Sequence, residues 1–274
     1  MNPEKYAVIG HPIEHSKSPT IHQAFAHQFN KAIIYEKILA PLDGFTATVQ
    51  RLQAEGFVGA NVTVPFKFEA FALCQGLTER AQAAGAVNTL CFLPTGLLGD
   101  NTDGCGLVND LLKHQQAPLA GKKILLLGAG GAAQGVMLPL LEQQPLLLTI
   151  ANRSLDKAQG MVAKFAAEAA RCQTRLEVQV MSAVAQSYDV IINATSAGLT
   201  DRPLDIPAAV FQSTGLAYDM MYGRETPFMQ QARAAGMLVA DGLGMLIEQA
   251  AEAFYLWHGL RPDTAPVIQS FRLP

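Results

Sequence analysis

The sequence predicts an α/β protein built as two α/β domains, and three observations carry that prediction. Short runs of Ile, Leu and Val alternate with stretches of helical period along the chain, the pattern of βαβ units with mostly parallel sheets. One run, KKILLL, leads into the glycine-rich turn GAGGAA and then into a helical pattern. At 274 residues the chain is long enough for two cores.

In chain order, KYAVIG (5–10) reads as a strand. SPTIHQAFAHQF follows as a helix with Ser18 at the N-cap and Pro19 at the first helical position, and Ile21, Ala24, Phe25 and Phe29 fall at helical spacing. AIIYEKIL (32–39) and GANVTV (59–64) are further strands, separated by a helix from about Leu42 to Glu55. In the second strand Val62 and Val64 alternate with Asn61 and Thr63, an apolar face backed by a polar one, and Pro65 ends it. Two short helices and the strand AVNTLCFL come next. KKILLLGAGGAAQGVMLPLLEQ (122–143) then opens a second unit as strand, turn and helix, so the boundary falls between Gly104 and Gly121, where a helix and the APLAG linker precede it. PLLLTIANRS is the next strand, with a helix to about Ala170, and DVIINATSAG (189–198) and GLAYDMMY (215–222) are strands that run into loops. Past ADGLG (240–244), a helix carries Leu243, Leu246, Ile247, Ala250, Ala251 and Phe254 on one stripe.

Composition excludes several classes. Half of the residues are hydrophobic and 16% are charged, so the chain folds compactly. A net charge of −3 argues against a nucleic-acid or polyanion binder. No run approaches the roughly 18 apolar residues of a membrane span. The opening MNPEKYAVIG, with an acidic residue and a very short apolar run, does not read as a signal peptide. Cys74, Cys91, Cys105 and Cys172 show no CxxC spacing and read as reduced thiols, which places the protein in the cytoplasm. Pro12 and Pro19 break the helix that would align His11, His15 and His22, and no carboxylate or Cys completes a ligand set, so no metal is expected.

Gly128-Ala129-Gly130-Gly131-Ala132-Ala133 fits G-x-G-x-x-G/A, with Ala133 in the third small position. The first glycine permits a tight turn, the second lets backbone approach a pyrophosphate, and the helix N-terminus favours its charge. The turn follows the apolar strand Ile124–Leu127 and opens a helix, the context that separates a dinucleotide site from a turn used only for packing. An NAD site carries Asp or Glu about 20 residues on, to accept from the ribose 2′-hydroxyl. Here stand Asn152, Arg153 and Ser154, with Lys157 a turn later, and the two cations suit a 2′-phosphate. The alternative is that Asn152 and Ser154 cap the helix and Arg153 is merely exposed. The expected cofactor is NADP(H).

The first half carries uncharged hydrogen-bonding side chains at strand ends: Ser16 and Ser18, Asn61 and Thr63, and Asn88, with Asp103 adding a carboxylate. A small polyhydroxylated substrate needs such a mixture of donors and acceptors. Each has another reading. Ser18 can cap its helix, Asn61 and Thr63 can face solvent, and Asp103-Gly104 can be a turn. The DNTDG run resembles a calcium loop only loosely, since it lacks the ligand alternation and the distal Glu. Lys67 can be an exposed lysine starting a helix. A nicotinamide enzyme reducing a ketone needs a positioned proton donor, however, and no Tyr-x-x-x-Lys pair supplies one. Lys67 with Asp103 is the best acid–base candidate left.

HSKSP, GANVTVPFK, LTERAQAAGAVNTL, GDNTDG, LLLGAGGAA, ANRS, IINATSAG, YDMMY and ADGLGML, in this order, resemble the bacterial shikimate dehydrogenase family along essentially the whole chain. The resemblance implies a substrate domain (1–103 with 242–274) and a Rossmann-like NADP domain (104–241), with the active-site cleft between them. The implied reaction is reversible reduction of 3-dehydroshikimate to shikimate with NADPH, in aromatic amino-acid biosynthesis. Ser16 and Ser18 would then hold the substrate carboxylate. Asn61, Thr63, Lys67, Asn88, Asp103 and Gln249 would line its ring hydroxyls, and Tyr222 would close the pocket. Gly128, Ala129, Gly130, Gly131 and Ala132 would hold the pyrophosphate, and Asn152, Arg153, Ser154 and Lys157 the adenosine phosphate. Thr195, Met220, Met221, Gly244 and Met245 match positions near the nicotinamide half, and Glu79 matches one on the cofactor side. Ser154 stands where Thr is common, a neutral exchange for a hydroxyl contact.

A lysine is ordinarily protonated at neutral pH, so Lys67 would donate to the developing alkoxide while Asp103 orients it. The expected partner is a small-molecule substrate, with neither nucleic acid nor membrane, and the chain is a monomer or homodimer. A quinate/shikimate dehydrogenase and a non-catalytic NADP-sensing protein of the same fold are the competing readings.

Overall fold

The computed structural model describes residues 2–199 and 202–272, so Met1, where the expected first domain begins, and the last two residues, where it ends, lie outside the described residues. The chain divides into two compact units, Met1–Gly106 with Leu246–Pro274, and Leu107–Met245.

The first unit runs β1 (Glu4–Gly10), α1 (Ser18–Gln28), β2 (Ile33–Leu39), α2 (Phe45–Ala54), β3 (Phe57–Val62), α3 (Lys67–Leu73), β4 (Gly76–Leu77), α4 (Glu79–Ala84), β5 (Thr89–Leu93) and β6 (Gly96–Asp100). Its sheet has the order β2-β1-β3-β5-β6-β4. The strand β1 is parallel to β2 and β3, and β4 to β6, but β5 is antiparallel to both β3 and β6. The sheet is therefore mixed, its pairing still mostly parallel as the sequence reading expects, with β5 the one antiparallel strand. Only Pro94 and Thr95 separate β5 from β6, too short a link for a parallel crossover and the right length for a hairpin.

Two expectations are corrected. Ser18 is the first residue of α1, not its cap, and makes no capping bond; Lys17 holds the cap position. The hydroxyl of Ser16 instead accepts from the Ser18 N–H at 3.3 Å and donates to the Ser18 hydroxyl at 3.3 Å. The strand β3 stops at Val62, before Pro65, and Val64 is 63% exposed instead of sharing an apolar face with Val62.

One face of this sheet is covered by α2, with Ala7, Ile9, Ala60, Val62 and Leu90 in one cluster with Phe45, Val49, Leu52 and Phe66. Each large apolar side chain among them contributes about 1.5–3 kcal/mol on burial. The other face receives α10 (Leu243–His258), whose Trp257 stacks on Tyr6 at 4.8 Å and donates to the Leu90 carbonyl at 3.1 Å. Gly59 permits this close approach, since a Cβ there would overlap the indole.

The chain leaves the first unit through α5 (Asp103–Asn109) and a π-helical turn (Asp110–His114). The second unit follows as β7 (Lys123–Leu127), α6 (Gly131–Leu141), β8 (Leu147–Asn152), α7 (Leu155–Lys164), α8 (Ala166–Arg171), β9 (Arg175–Val180), β10 (Val190–Asn193), β11 (Leu216–Asp219), α9 (Pro227–Ala234) and β12 (Leu238–Ala240). All its strands are parallel, in the order β12-β11-β10-β7-β8-β9. Ile124 to Leu127 are fully buried, as a central parallel strand requires. This is the doubly wound arrangement, and its strand order reverses between β7 and β10, where Leu127 pairs with Asn193. The helices α10 (Leu243–His258) and α11 (Ala265–Arg272) return the chain to the first unit.

Candidate active site

In the first unit, α3 begins at Lys67 and α5 begins at Asp103, and the Lys67 Nζ donates to Asp103 Oδ2 at 2.5 Å. Both side chains are about a quarter exposed (29% and 25%), so the pair is held by protein yet reachable by a substrate and by water. Asp103 Oδ1 accepts from Asn88 Nδ2 at 2.8 Å. The Asn88 orientation is fixed from the other side, because its Oδ1 accepts the Thr102 N–H at 2.9 Å and the Thr89 hydroxyl at 2.9 Å. Gln249, on α10, donates from Nε2 to the Leu246 carbonyl at 2.8 Å. Its Oε1 accepts from Asn88 Nδ2 at 3.4 Å and from the Thr102 hydroxyl at 3.3 Å. Lys67, Asn88, Asp103 and Gln249 thus form one hydrogen-bonded cluster.

Asn61 is buried behind it. Its Oδ1 accepts the Tyr35 hydroxyl at 2.7 Å, and its Nδ2 donates to the Asn88 carbonyl at 3.3 Å and the Thr89 hydroxyl at 3.1 Å. With both amide hydrogens engaged inside the protein, Asn61 retains one acceptor lone pair. Thr63, just past β3, is half-buried, its N–H bonded to the Ile9 carbonyl at 2.9 Å. Ser16 and Ser18 share the first unit, linked to each other as described above. Glu79 is exposed at the start of α4, also in the first unit.

Tyr35, Thr89 and Thr102, which brace this cluster, are not singled out by the sequence reading. The signal for Thr89 and Thr102 is adjacency, since each neighbours a candidate in AVNTL or GDNTDG. Tyr35 sits on an alternating strand and looks like any core aromatic.

In the second unit, the turn Gly128–Gly130 joins β7 to α6. Gly128 adopts φ +108°, a conformation that favours glycine. No protein atom lies within 4 Å of where a Gly130 Cβ would be, and Gly130, Gly131 and Ala132 are exposed, with Ala129 half-buried. The first N–H groups of α6 have no acceptor within their helix, and Gly130 at the cap has no side chain to offer one. That cradle fits a pyrophosphate. After β8, Asn152 donates to the Ser154 carbonyl at 2.9 Å, and Arg153, Ser154 and Lys157 are exposed. Ser154 occupies the cap position of α7 but makes no capping bond, and Arg153 is exposed, as both readings of this stretch expect.

At the end of β10, Asn193 Oδ1 accepts from the Thr195 N–H at 3.1 Å and hydroxyl at 2.7 Å, while its Nδ2 donates to Asp219 Oδ2 at 3.0 Å. Asp219 also accepts from the Met221 N–H at 2.9 Å and the Thr226 hydroxyl at 2.6 Å. This buried pair fixes the loops that carry Thr195, Met220 and Met221. Tyr222 follows in the same loop of the second unit, and burial raises its phenol above the ordinary value. Gly244 and Met245 open α10, and a Cβ on Gly244 would overlap the buried carboxylate of Asp110.

Among the described residues, no group of three or more His, Cys, Asp or Glu is placed to hold a metal ion, and no helix is long and apolar enough to cross a membrane.

Three family models match the chain: shikimate dehydrogenase substrate binding domain over residues 8–90, shikimate / quinate 5-dehydrogenase over 110–200, and shikimate 5'-dehydrogenase C-terminal domain over 242–270. The NADP-dependent shikimate dehydrogenase of Methylobacillus flagellatus is 58% identical over 271 residues, covering 98% of this chain and 99% of its own. An Ael1 enzyme from Pseudomonas putida superposes with a TM-score of 0.94 at 44% identity, over 99% of each chain. The shikimate 5-dehydrogenase of Thermus thermophilus, solved with NADP(H) and shikimate, superposes with a TM-score of 0.86 at 32% identity, over 98% of each chain.

Proposed function

This chain belongs to the shikimate dehydrogenase family, and on that premise we propose that it catalyses the reversible NADPH-dependent reduction of 3-dehydroshikimate to shikimate, toward chorismate and the aromatic amino acids. The observation that carries the reading is the Lys67–Asp103 pair inside a cluster of amide groups suited to ring hydroxyls.

When bound, NADPH supplies the hydride. Lys67 donates a proton from its ammonium to the carbonyl oxygen as that oxygen becomes an alkoxide, and the lysine is left neutral. Asp103 holds the ammonium through Oδ2, while Asn88 holds Asp103 through Oδ1, so the donor is oriented before substrate arrives. Water at the part-exposed lysine then restores its proton. In the oxidation direction the same lysine accepts the proton, so that direction gains as pH rises. Ser16 and Ser18 take the carboxylate, Thr63, Asn88 and Gln249 take the ring hydroxyls, and Tyr222 is assigned to the substrate as well. Asn61 acts through its remaining lone pair and by holding the Asn88 carbonyl. Gly128 to Ala132 take the pyrophosphate, and Asn152 to Lys157 the adenosine phosphate. Thr195, Met220, Met221, Gly244 and Met245 serve the nicotinamide half, and Glu79 the cofactor side. We assign the enzyme to the cytoplasm, as a monomer or homodimer without nucleic-acid or membrane partners.

The test is reduction of NADP, followed by its absorbance change, with shikimate or quinate, and the same pair with NAD. The expected result is turnover with shikimate and NADP that exceeds every other combination. Preference for quinate, or for NAD, would make the chain a quinate/shikimate dehydrogenase, and NADP binding without turnover would make it a sensor.

A further inference from the structure

We infer that Arg80 is a positioning residue for this reaction, acting on the acid–base pair and on Gln249 at once; the inference rests on the shikimate dehydrogenase reading. Arg80 lies on the short helix α4 and touches neither Lys67 nor Asp103 in the contacts it makes. Its guanidinium grips the Asp100 carboxylate with two parallel bonds, Nε to Oδ1 at 2.7 Å and Nη2 to Oδ2 at 2.6 Å. Nη2 also donates to Glu252 Oε1 at 3.1 Å. Asp100 is 1% exposed, and such a carboxylate is costly to bury without a cation.

The two acids joined by Arg80 stand beside functional groups on different elements. Asp100 ends β6, and its Oδ1 also accepts the Asn101 N–H at 2.7 Å and the Thr78 hydroxyl at 2.6 Å. Asn101 then accepts the Asp103 N–H at 3.2 Å, so the turn from β6 to α5 is fixed link by link from Arg80 to Asp103. Glu252 lies on α10 three residues after Gln249, one turn along the same face of the helix. Arg261 holds the other oxygen of Glu252 at 2.9 Å. One guanidinium therefore sets the spacing between the strand end that delivers Asp103 and the helix that delivers Gln249. A planar fork can do this and a single ammonium cannot, since the fork fixes direction as well as charge.

The experiment compares the parent chain with Arg80→Lys and Arg80→Ala, measuring kcat and KM for shikimate, KM for NADP, and the thermal transition. Arg80→Lys is expected to keep a cooperative transition and a KM for NADP within about twofold, while kcat falls roughly 10- to 100-fold, the range that small misplacements of reacting groups produce. Added guanidinium ion is expected to restore part of kcat in Arg80→Ala, whereas sodium chloride at equal ionic strength is not. If Arg80→Ala does not melt cooperatively, Glu252→Gln takes its place, and kcat is expected to fall several-fold without loss of NADP affinity. A folded Arg80→Lys with the parent's kcat would overturn the inference. So would an Arg80→Ala that folds and loses activity beyond rescue, or a folded Glu252→Gln with unchanged kcat. A parent chain that does not oxidise shikimate overturns the functional reading itself, a separate outcome.

Discussion

At the scale of single residues, we assign the choice of cofactor to Arg153, an exposed side chain. It stands at the end of β8, where an NAD enzyme would carry a carboxylate to accept from a ribose hydroxyl. Arg153 and Lys157 are both exposed, and neither forms an ion pair among the described residues, so both cations are available to a 2′-phosphate. Reversing one of them replaces attraction with repulsion. A charge-assisted hydrogen bond contributes about 1.5–3 kcal/mol, so Arg153→Asp should raise the KM for NADP roughly 10- to 150-fold and lower that for NAD. An unchanged ratio of kcat/KM between the two cofactors would remove Arg153 from this role. At this scale the sequence is legible wherever chemistry demands a rare combination, as with Lys67, Asp103 and the glycine turn. It is less legible where a polar residue serves another polar residue. Asn61 fits an open polar face by pattern yet is buried, and Arg80, inside the run LTERAQAAGAVNTL, carries no mark of its pairing with Asp100.

Among the elements, α10 and α1 meet the first sheet through an aromatic layer that contains two histidines. His22 is fully buried, stacked on Tyr35 at 4.5 Å and close to Phe25, Phe254 and Trp257, and burial pushes its imidazole down to about 3. His258, at the end of α10, is pushed down to about 4 by burial and by Lys31, against the opposing pull of Glu4. Both are therefore neutral in the folded chain at pH values where the unfolded chain, with histidines titrating near 6.5, binds protons. Stability is full above about pH 6.5 and falls as pH drops through the window toward the folded values, by up to ~1.4 kcal/mol per pH unit for each histidine. His22→Phe should flatten the decline of the melting temperature between about pH 6.5 and 4.5. Parallel pH curves for the two proteins would contradict this. Long periodic elements are readable in the sequence, including α10, whose apolar stripe packs as expected. Short or edge elements are not: β4 has two residues, and β9 (RLEVQV) is an edge strand with Arg175, Glu177 and Gln179 along it. The mixed pairing of the first sheet hinges on the two-residue link at Pro94 and Thr95, a turn signal inside what reads as continuous α/β alternation.

For the whole molecule, the chain builds two units from three stretches, with α5 and α10 as the crossings. The division of chemistry follows that path. The stretches up to Gly106 and from Leu246 onward carry Lys67, Asn88, Asp103 and Gln249, while the middle carries the glycine turn and Arg153. Each half is visible from its own motifs, but the bracing that joins Asn88, Asp103 and Gln249 depends on residues far apart in sequence and needs three dimensions to appear. The central claim is that Lys67 moves the proton of this reaction, and the most direct measurement is the steady-state kinetics of Lys67→Ala with shikimate and NADP. The account predicts a kcat lower by roughly 10²- to 10⁴-fold, with a much smaller change in the KM for shikimate. A kcat close to that of the parent, with only KM raised, would contradict it and leave Lys67 as a binding group.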